Sequence, residues 1–196
     1  MANIDIDATL TDGTPVCLRR IRADDADRLR GGVAELSAES RYLRFFSFAH
    51  RVPDAVIARL TDADPECHIG WGAILSADPA LPAIAAAHVV REVCGEPRGE
   101  LSIAVLDAWH SRGLARLLLS ALLADNRAAG VEQVDIVALA SNSGALSLFS
   151  HIGAETSGYE DGTVRLHLAL DTGLARLARA RACARVIAAV AQLQHD

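Results

Sequence analysis

Apolar and polar positions follow two rhythms along this chain, and the change between them predicts the elements. Pro15 to Arg22 alternates as a first strand, after a loose lead-in over residues 1–12. A helix is expected over Ala26–Leu36, with Asp24 or Asp25 as its cap and the Gly31-Gly32 pair weakening its middle. A second short helix is expected over Ser37–Phe46, close to Tyr42, Phe45, Phe46 and Phe48. A third starts at Pro53 and runs to Leu60, because proline suits a first helical turn. Three strand-like runs follow at Cys67–Leu75, Ala83–Arg91 and Glu100–Leu106, the first two separated by Asp78, Pro79 and Pro82. They predict an antiparallel meander. Arg116–Ala129 carries helix formers and stops at Gly130, and Val131–Leu139 then returns as a strand. A strand–helix–strand unit of this kind makes its two strands parallel. Asp161-Gly162 marks a hairpin between Ala154–Tyr159 and Thr163–Leu170. The fold class is therefore α/β (α+β): a mixed, mostly antiparallel sheet with helices on its faces, and no internal repeat.

Residues 171–196 read separately from a domain over 1–170. From Ala175 to Gln194 there is no Gly or Pro, which signals one extra C-terminal helix. Its apolar positions do not keep a single stripe. Leu174 and Leu177 lie on one side, Val186, Val190 and Leu193 elsewhere, and Arg176, Arg179, Arg181 and Arg185 are spread around it. A helix apolar all round is buried or used twice, so packing back on the domain and a homodimer contact are the two main readings.

Composition narrows the function classes. With 196 residues, 51% hydrophobic and 22% charged, the chain is long enough for one domain with a sizeable core and is not disordered. No apolar run reaches a membrane span. Asp5 and Asp7 break the basic-then-apolar order of a signal peptide, so a cytoplasmic location is the default. The net charge of −6 argues against nucleic acid or anionic lipid and mildly favours a cationic or amine-bearing partner. Cys17, Cys67, Cys94 and Cys183 lack paired spacing and are expected as reduced, mostly buried thiols. His68, His88, His151 and His167 show no metal spacing, so no metal is expected. Cys67 and His68, as strand neighbours, face opposite ways and make a poor catalytic pair.

The chemistry concentrates in Trp109-His110-Ser111-Arg112-Gly113-Leu114-Ala115, between a strand and a helix start. A glycine turn opening a helix gathers free backbone N–H groups at the positive end of the helix dipole, which suits a phosphate. The turn is too short for a Walker loop and lacks the three glycines of a dinucleotide fingerprint.

At these residues the chain resembles the GNAT superfamily of acyl-CoA N-acyltransferases, whose signature is Gln/Arg-x-x-Gly-x-Gly/Ala. Here it stands as His110-Ser111-Arg112-Gly113-Leu114-Ala115, with His where Gln or Arg is usual. Gly99–Val105 upstream and Ala138–Ala154 downstream are similar to the family's fourth strand and to its fifth strand and following helix. Order and spacing agree over roughly residues 14 to 170. Asp12–Arg22 and Leu36–Phe46 look like the branch that includes bacterial protein-lysine acetyltransferases.

The resemblance implies acetyl-CoA as co-substrate and a primary amine as acceptor, on a protein lysine or a small molecule. Arg112, Gly113, Leu114 and Ala115 would offer N–H groups to the pyrophosphate, and Gly113 would allow close approach. Arg112 is otherwise a surface arginine, and His110 is either a phosphate donor or a solvent-facing linker residue. Asn142 would touch the coenzyme, a position equally suited to a helix N-cap. A backbone N–H around Val105 to Asp107 would steady the oxyanion, with pantetheine along the same strand and Leu106 as one contact. Glu100 is the candidate base, against the plain reading of a solvated glutamate at a strand start. Phe149 stands where many members carry a tyrosine that protonates the departing sulfur, and Tyr159 beside a hairpin is a poor substitute. A second class of function remains open: an acyl-CoA-binding sensor or interaction module that does not turn its ligand over.

Overall fold

The computed structural model describes residues 5–45, 53–61, 64–78 and 82–192, with the side chain of Phe45 left out. Phe46, Phe48, Pro79, Leu193 and Gln194 lie outside the described residues. The strands are β1 (Asp5–Thr9), β2 (Pro15–Arg20), β3 (His68–Leu75), β4 (Ala85–Val90), β5 (Arg98–Val105), β6 (Gln133–Leu139), β7 (Glu155–Glu160) and β8 (Thr163–Ala169). The α-helices are α1 (Ala26–Glu35), α2 (Ala38–Phe45), α3 (Asp54–Thr61), α4 (Leu114–Ala128), α5 (Ser143–His151), α6 (Leu170–Leu177) and α7 (Arg181–Gln192).

One eight-stranded sheet runs in the order β1-β2-β3-β4-β5-β6-β8-β7. Every neighbouring pair is antiparallel except β5 and β6, which the crossover through α4 makes parallel. The predicted meander, the parallel return and the Asp161-Gly162 hairpin are all present. The lead-in is a correction: Asp5–Thr9 forms an edge strand on β2, paired from Asp5↔Arg19 to Thr9↔Pro15. Its alternation buries only Ile6 in the core, with Asp5 and Asp7 facing water, too faint a pattern to read as a strand.

The C-terminal segment is a second correction. It folds as two helices, α6 and α7, broken at residues 178–180. Each carries its own stripe, Leu170, Gly173 and Leu177 on α6 and Cys183, Val186 and Val190 on α7. The break rotates one stripe against the other, which is why no single stripe fits the uninterrupted sequence. Both helices pack on α4, and α7 also reaches β1. Their buried residues belong to the same hydrophobic cluster as the sheet.

α4 is the spine of the core. Leu114, Leu117, Leu118, Leu119, Leu122 and Leu123 are all at most 3% exposed. Its one buried carboxylate, Asp125, lies fully out of water and accepts from Trp71 Nε1 at 2.8 Å and from Arg20 Nε at 2.6 Å, with Arg20 NH2 as a further donor. That network joins α4 to β2 and β3, and both oxygens of the carboxylate have a donor.

Truncating a buried ionised partner strands its counter-charge, which costs about 3–5 kcal/mol. Asp125→Ala is therefore expected to lower unfolding stability by about that amount in urea titration. A loss below about 1 kcal/mol would remove this network from the forces holding α4.

Candidate active site

The β5–β6 ladder holds only three pairs, Arg98↔Gln133, Gly99↔Val134 and Glu100↔Asp135. Beyond Glu100 the strands part. A cleft of about 620 Å³ fills the opening, walled by Ile103, Ala104 and Val105 of β5, by the turn from Trp109 to Arg116, by Ser141–Ala145 and by α2. β5 keeps its full antiparallel ladder with β4 on the other side, through Val105↔Ala85. Leu106 N–H donates to Ile84 O at 3.0 Å. Backbone groups alternate sides along a strand, so those of Ile103 and Val105 turn toward the cleft.

The turn at the mouth of α4 has the geometry of an anion nest. Ser111 and Gly113 take left-handed φ values of +59° and +83° on either side of Arg112. Among the described residues, no carbonyl or side chain accepts from the backbone N–H groups of Ser111 to Arg116. Such a run of unanswered donors at a helix N-terminus is a site for an oxyanion. The turn is held from outside, because Thr11 N–H donates to Arg112 O at 3.1 Å and Arg112 NH1 to Asp12 Oδ2 at 2.9 Å.

Of the residues singled out in the sequence, Val105, His110, Gly113, Leu114, Ala115 and Asn142 wall the cleft. His110 donates from Nε2 to Val105 O at 2.9 Å, which ties the turn to the strand end. Asn142 caps α5, its Oδ1 accepting from Ala145 N–H at 3.0 Å, while still reaching the cleft. Arg112 points away: its guanidinium pairs with Asp12 and lies 4.9 Å above the Trp109 ring. Leu106 is buried, with its N–H already committed to Ile84, so Val105 is the strand-end residue whose backbone faces the opening. Phe149 is 2% exposed in the core and Tyr159 is 77% exposed on β7.

Glu100 stands at the vertex where the ladder ends, outside the cleft wall itself. Its face of β5 also carries Ser102, whose hydroxyl accepts from Arg44 NH2 at 2.8 Å. Burial lowers the pKa of the Arg44 guanidinium from its ordinary value, and the nearby Glu100 charge opposes that shift. Directly across the ladder from Ser102 lies His88, buried and bonded to His68 at 2.9 Å. His68 Nδ1 is 3.1 Å from Arg59 O, which only accepts. His68 Nδ1 therefore carries the proton, and its Nε2 takes the hydrogen of His88 Nδ1. Burial pushes both imidazoles below their ordinary pKa, with His68 and Arg44 adding to the effect at His88, so the pair is neutral at pH 7. Two of the four histidines are thus brought into contact. Nothing in the local sequence joins positions 68 and 88; the β3–β4 register does.

Sequence reasoning also missed Asp107 and the cysteine pairing. Asp107, just after β5, accepts from Ser37 N–H at 3.0 Å and from the hydroxyls of Ser37 at 2.9 Å and Ser40 at 2.7 Å. It anchors the start of α2 to the strand that forms the opposite wall. Cys67 and Cys94 are not free thiols but a disulfide, while Cys17 and Cys183 are free. Twenty-seven residues separate the pair, a spacing that carries no local signal.

A mixed sheet that parts at its one parallel junction, with an N–H nest inside the parting, is the architecture of acyl-CoA N-acyltransferases. The family model described as Acetyltransferase (GNAT) family matches residues 23–154, and the chain belongs to that family. It is similar to Acetyltransferase Pat of Mycolicibacterium smegmatis, 28% identical over 137 residues, which cover 70% of this chain; the chain spans 40% of the length of that relative. It is also similar to Acetyltransferase PA5475 of Pseudomonas aeruginosa, 26% identical over 145 residues, 74% of this chain and 77% of that one. The solved GNAT domain of S. lividans PAT superposes with a TM-score of 0.77 at 29% identity, covering 84% of this chain and 96% of that domain. Among the described residues no helix is long and apolar enough to cross a membrane.

Burial acts to raise the pKa of Asp107, but the donors from Ser37 and Ser40 outweigh it and hold the carboxyl at about 2. Depressed below an unfolded value near 3.9, it contributes stability that is complete above about pH 4 and lost as pH falls toward 2. Because Asp107 is exposed, its contribution after solvent screening is about 1 kcal/mol. Asp107→Asn should lower the unfolding free energy from urea titration at pH 7 by that amount and show a smaller further loss than wild type between pH 4 and 2.5. Parallel acid profiles for the two proteins would disprove the anchor.

Proposed function

We propose that this chain moves an acetyl group from acetyl-CoA to a primary amine by direct attack in a ternary complex. The observation that carries the proposal is the run of unanswered N–H groups from Ser111 to Arg116, opening into the cleft where β5 and β6 part. The coenzyme pyrophosphate would sit in that nest, with Gly113 letting the backbone approach it. Pantetheine would lie along β5 and pair with backbone groups of Ile103 and Val105 as a strand would. The thioester carbonyl would then lie along β5 on the way to the vertex, where a cleft-facing backbone N–H of the strand meets the developing oxyanion.

At pH 7 a lysine-type amine near pKa 10.4 is almost wholly protonated, so supplying its free form costs about 4–5 kcal/mol. Glu100 at the vertex would take that proton, directly or through water. The amine nitrogen attacks the carbonyl carbon, the carbon–sulfur bond breaks, and the sulfur leaves as a thiolate. With Phe149 in place of a hydroxyl, the thiolate would collect its proton from water. A thiol near pKa 8.5 makes this a penalty of only about 1–2 kcal/mol near pH 7.5. The acceptor we favour is a protein lysine or a small-molecule amine. We place the reaction in the cytoplasm, and the net charge of −6 suits a cationic acceptor.

A second reading, a coenzyme-binding module without turnover, draws on two positions: Glu100 outside the cleft wall and Phe149 buried in the core. Kinetics separates the two. Glu100→Gln should reduce kcat by about 10²–10³ while leaving the KM for acetyl-CoA within about twofold. Unchanged turnover would take Glu100 out of the mechanism. No turnover by wild type with any amine, despite micromolar coenzyme binding, would favour the module.

Gly113 tests the nest under either reading. A Cβ there faces a φ of +83° and meets Thr11 Cγ2 at 3.2 Å. Gly113→Val is expected to weaken acetyl-CoA and free CoA alike by at least about tenfold in calorimetric titration, the loss of one strong phosphate contact. Full retained affinity would place the pyrophosphate elsewhere.

A further inference from the structure

Away from the cleft, at the entries to β3 and β5, Asp64, Cys67 and Cys94 bring three ligand atoms within 4.8 Å of one another. We propose that these residues form a redox-gated zinc site: closed while Cys67 and Cys94 are joined, and open to one Zn²⁺ when they are reduced.

Backbone bonds that do not depend on the disulfide hold the two segments side by side. Arg91 N–H donates to Cys67 O at 2.7 Å, and Gly95 N–H donates to Glu66 O at 3.3 Å. Reduction therefore leaves the two thiols facing each other rather than releasing the loops. On the other side of the site, Asp64, Pro65, Glu66 and Cys67 form a tight turn. Asp64 O accepts from Cys67 N–H at 2.9 Å and from His68 N–H at 2.8 Å, and Asp64 Oδ1 accepts from Glu66 N–H at 2.9 Å. That turn gives Asp64 and Cys67 the two-residue gap of a zinc knuckle, with a carboxylate in the first position. One carboxylate oxygen is fixed by Glu66, and the other remains for a ligand.

The donor set selects the metal. Two thiolates and one carboxylate suit Zn²⁺, which takes sulfur at about 2.3 Å and oxygen at about 2.0–2.2 Å in a tetrahedron. Those bond lengths place ligand atoms about 3.6–3.8 Å apart, inside the spacing already present once the sulfurs move from bonded to non-bonded contact. Asp64 and Cys94 are exposed, so water completes the fourth position and the metal has a path in.

The gate is balanced chemistry. A dithiol reductant attacks one sulfur through its thiolate, passes through a mixed disulfide, and leaves as its own cyclic disulfide. Two electrons and two protons reach Cys67 and Cys94. Zinc then displaces both thiol protons to solvent. Hydrogen peroxide reverses the process: the two thiolates give up two electrons and join, the peroxide takes these and two protons from solvent to become two waters, and Zn²⁺ is released.

The test uses full-length protein carrying Cys17→Ser and Cys183→Ser, reduced with a dithiol, stripped with a chelator and titrated with Co²⁺ and then Zn²⁺. The reduced protein should take up one equivalent of Co²⁺ with a thiolate-to-cobalt charge-transfer band in the near ultraviolet. Zn²⁺ should erase that band, and peroxide should release the Zn²⁺ to a chromophoric indicator. The disulfide form should show no band. Cys94→Ser should abolish it, and Asp64→Asn, which keeps both thiols and an isosteric side chain, should weaken binding at least about tenfold. Absence of the band in the reduced protein would overturn the proposal. So would a full band in Cys94→Ser or in the disulfide form, or unchanged affinity in Asp64→Asn. Circular dichroism of each variant confirms that the fold being titrated is the native one.

Discussion

The structure depends on one buried carboxylate. Asp125 sits near the C-terminal end of α4 with no exposure to water, held by Arg20 from β2 and Trp71 from β3. Leucines alone would press α4 on the sheet but tolerate sliding, because apolar contact has little directional preference. A carboxylate bound by an indole and a guanidinium does not slide. Fixing that end of a rigid fifteen-residue helix fixes the other end too, where the turn from Ser111 to Arg116 opens on the cleft. The position of the nest is thus set, through the length of α4, by an ion pair at the helix's opposite end.

A second constraint works across the opening. Asp107 follows β5 directly and gathers Ser37 and Ser40 from the start of α2, so the wall opposite α5 is tied to the strand that forms the floor. The turn is braced similarly by Thr11 and Asp12 on one side and by His110 on Val105 on the other. The cleft therefore has braced walls and a backbone-lined floor. That agrees with a site whose geometry exists before a ligand arrives.

What was legible in the sequence was the part written locally. The strand, glycine turn and helix around Gly113 lie within some thirty residues, and their periodicities change at the right places. The parallel return of β6 follows from the crossover alone. Features written across the chain were not legible. β1 looks like a tail because one apolar side chain suffices for an edge strand lying over α7. The C-terminal break is hidden because alanine and arginine at 178–180 favour a helix, while tertiary packing turns it there. The Cys67–Cys94 and His68–His88 pairs are created by the β3–β4–β5 register, which no local pattern encodes. Arg112 illustrates the opposite limit. Its motif position points to a ligand, yet its side chain is claimed by Asp12 and Trp109, leaving its backbone as the part that faces the turn.

The three-pair ladder between β5 and β6 has a consequence for how this protein can diversify. Past Glu100 the sheet contains an internal edge, shielded from other proteins by α2 and α5 yet open to a slender extended guest. Such a guest, pantetheine in the proposed function, is read by peptide groups that every sequence possesses. The floor can therefore change its side chains, as Ile103 and Val105 can, without changing what it holds. Heritable variation is left to the helices and loops over the other face of β5, and novelty in this lineage would come from redrawing the lid over an unchanged slot.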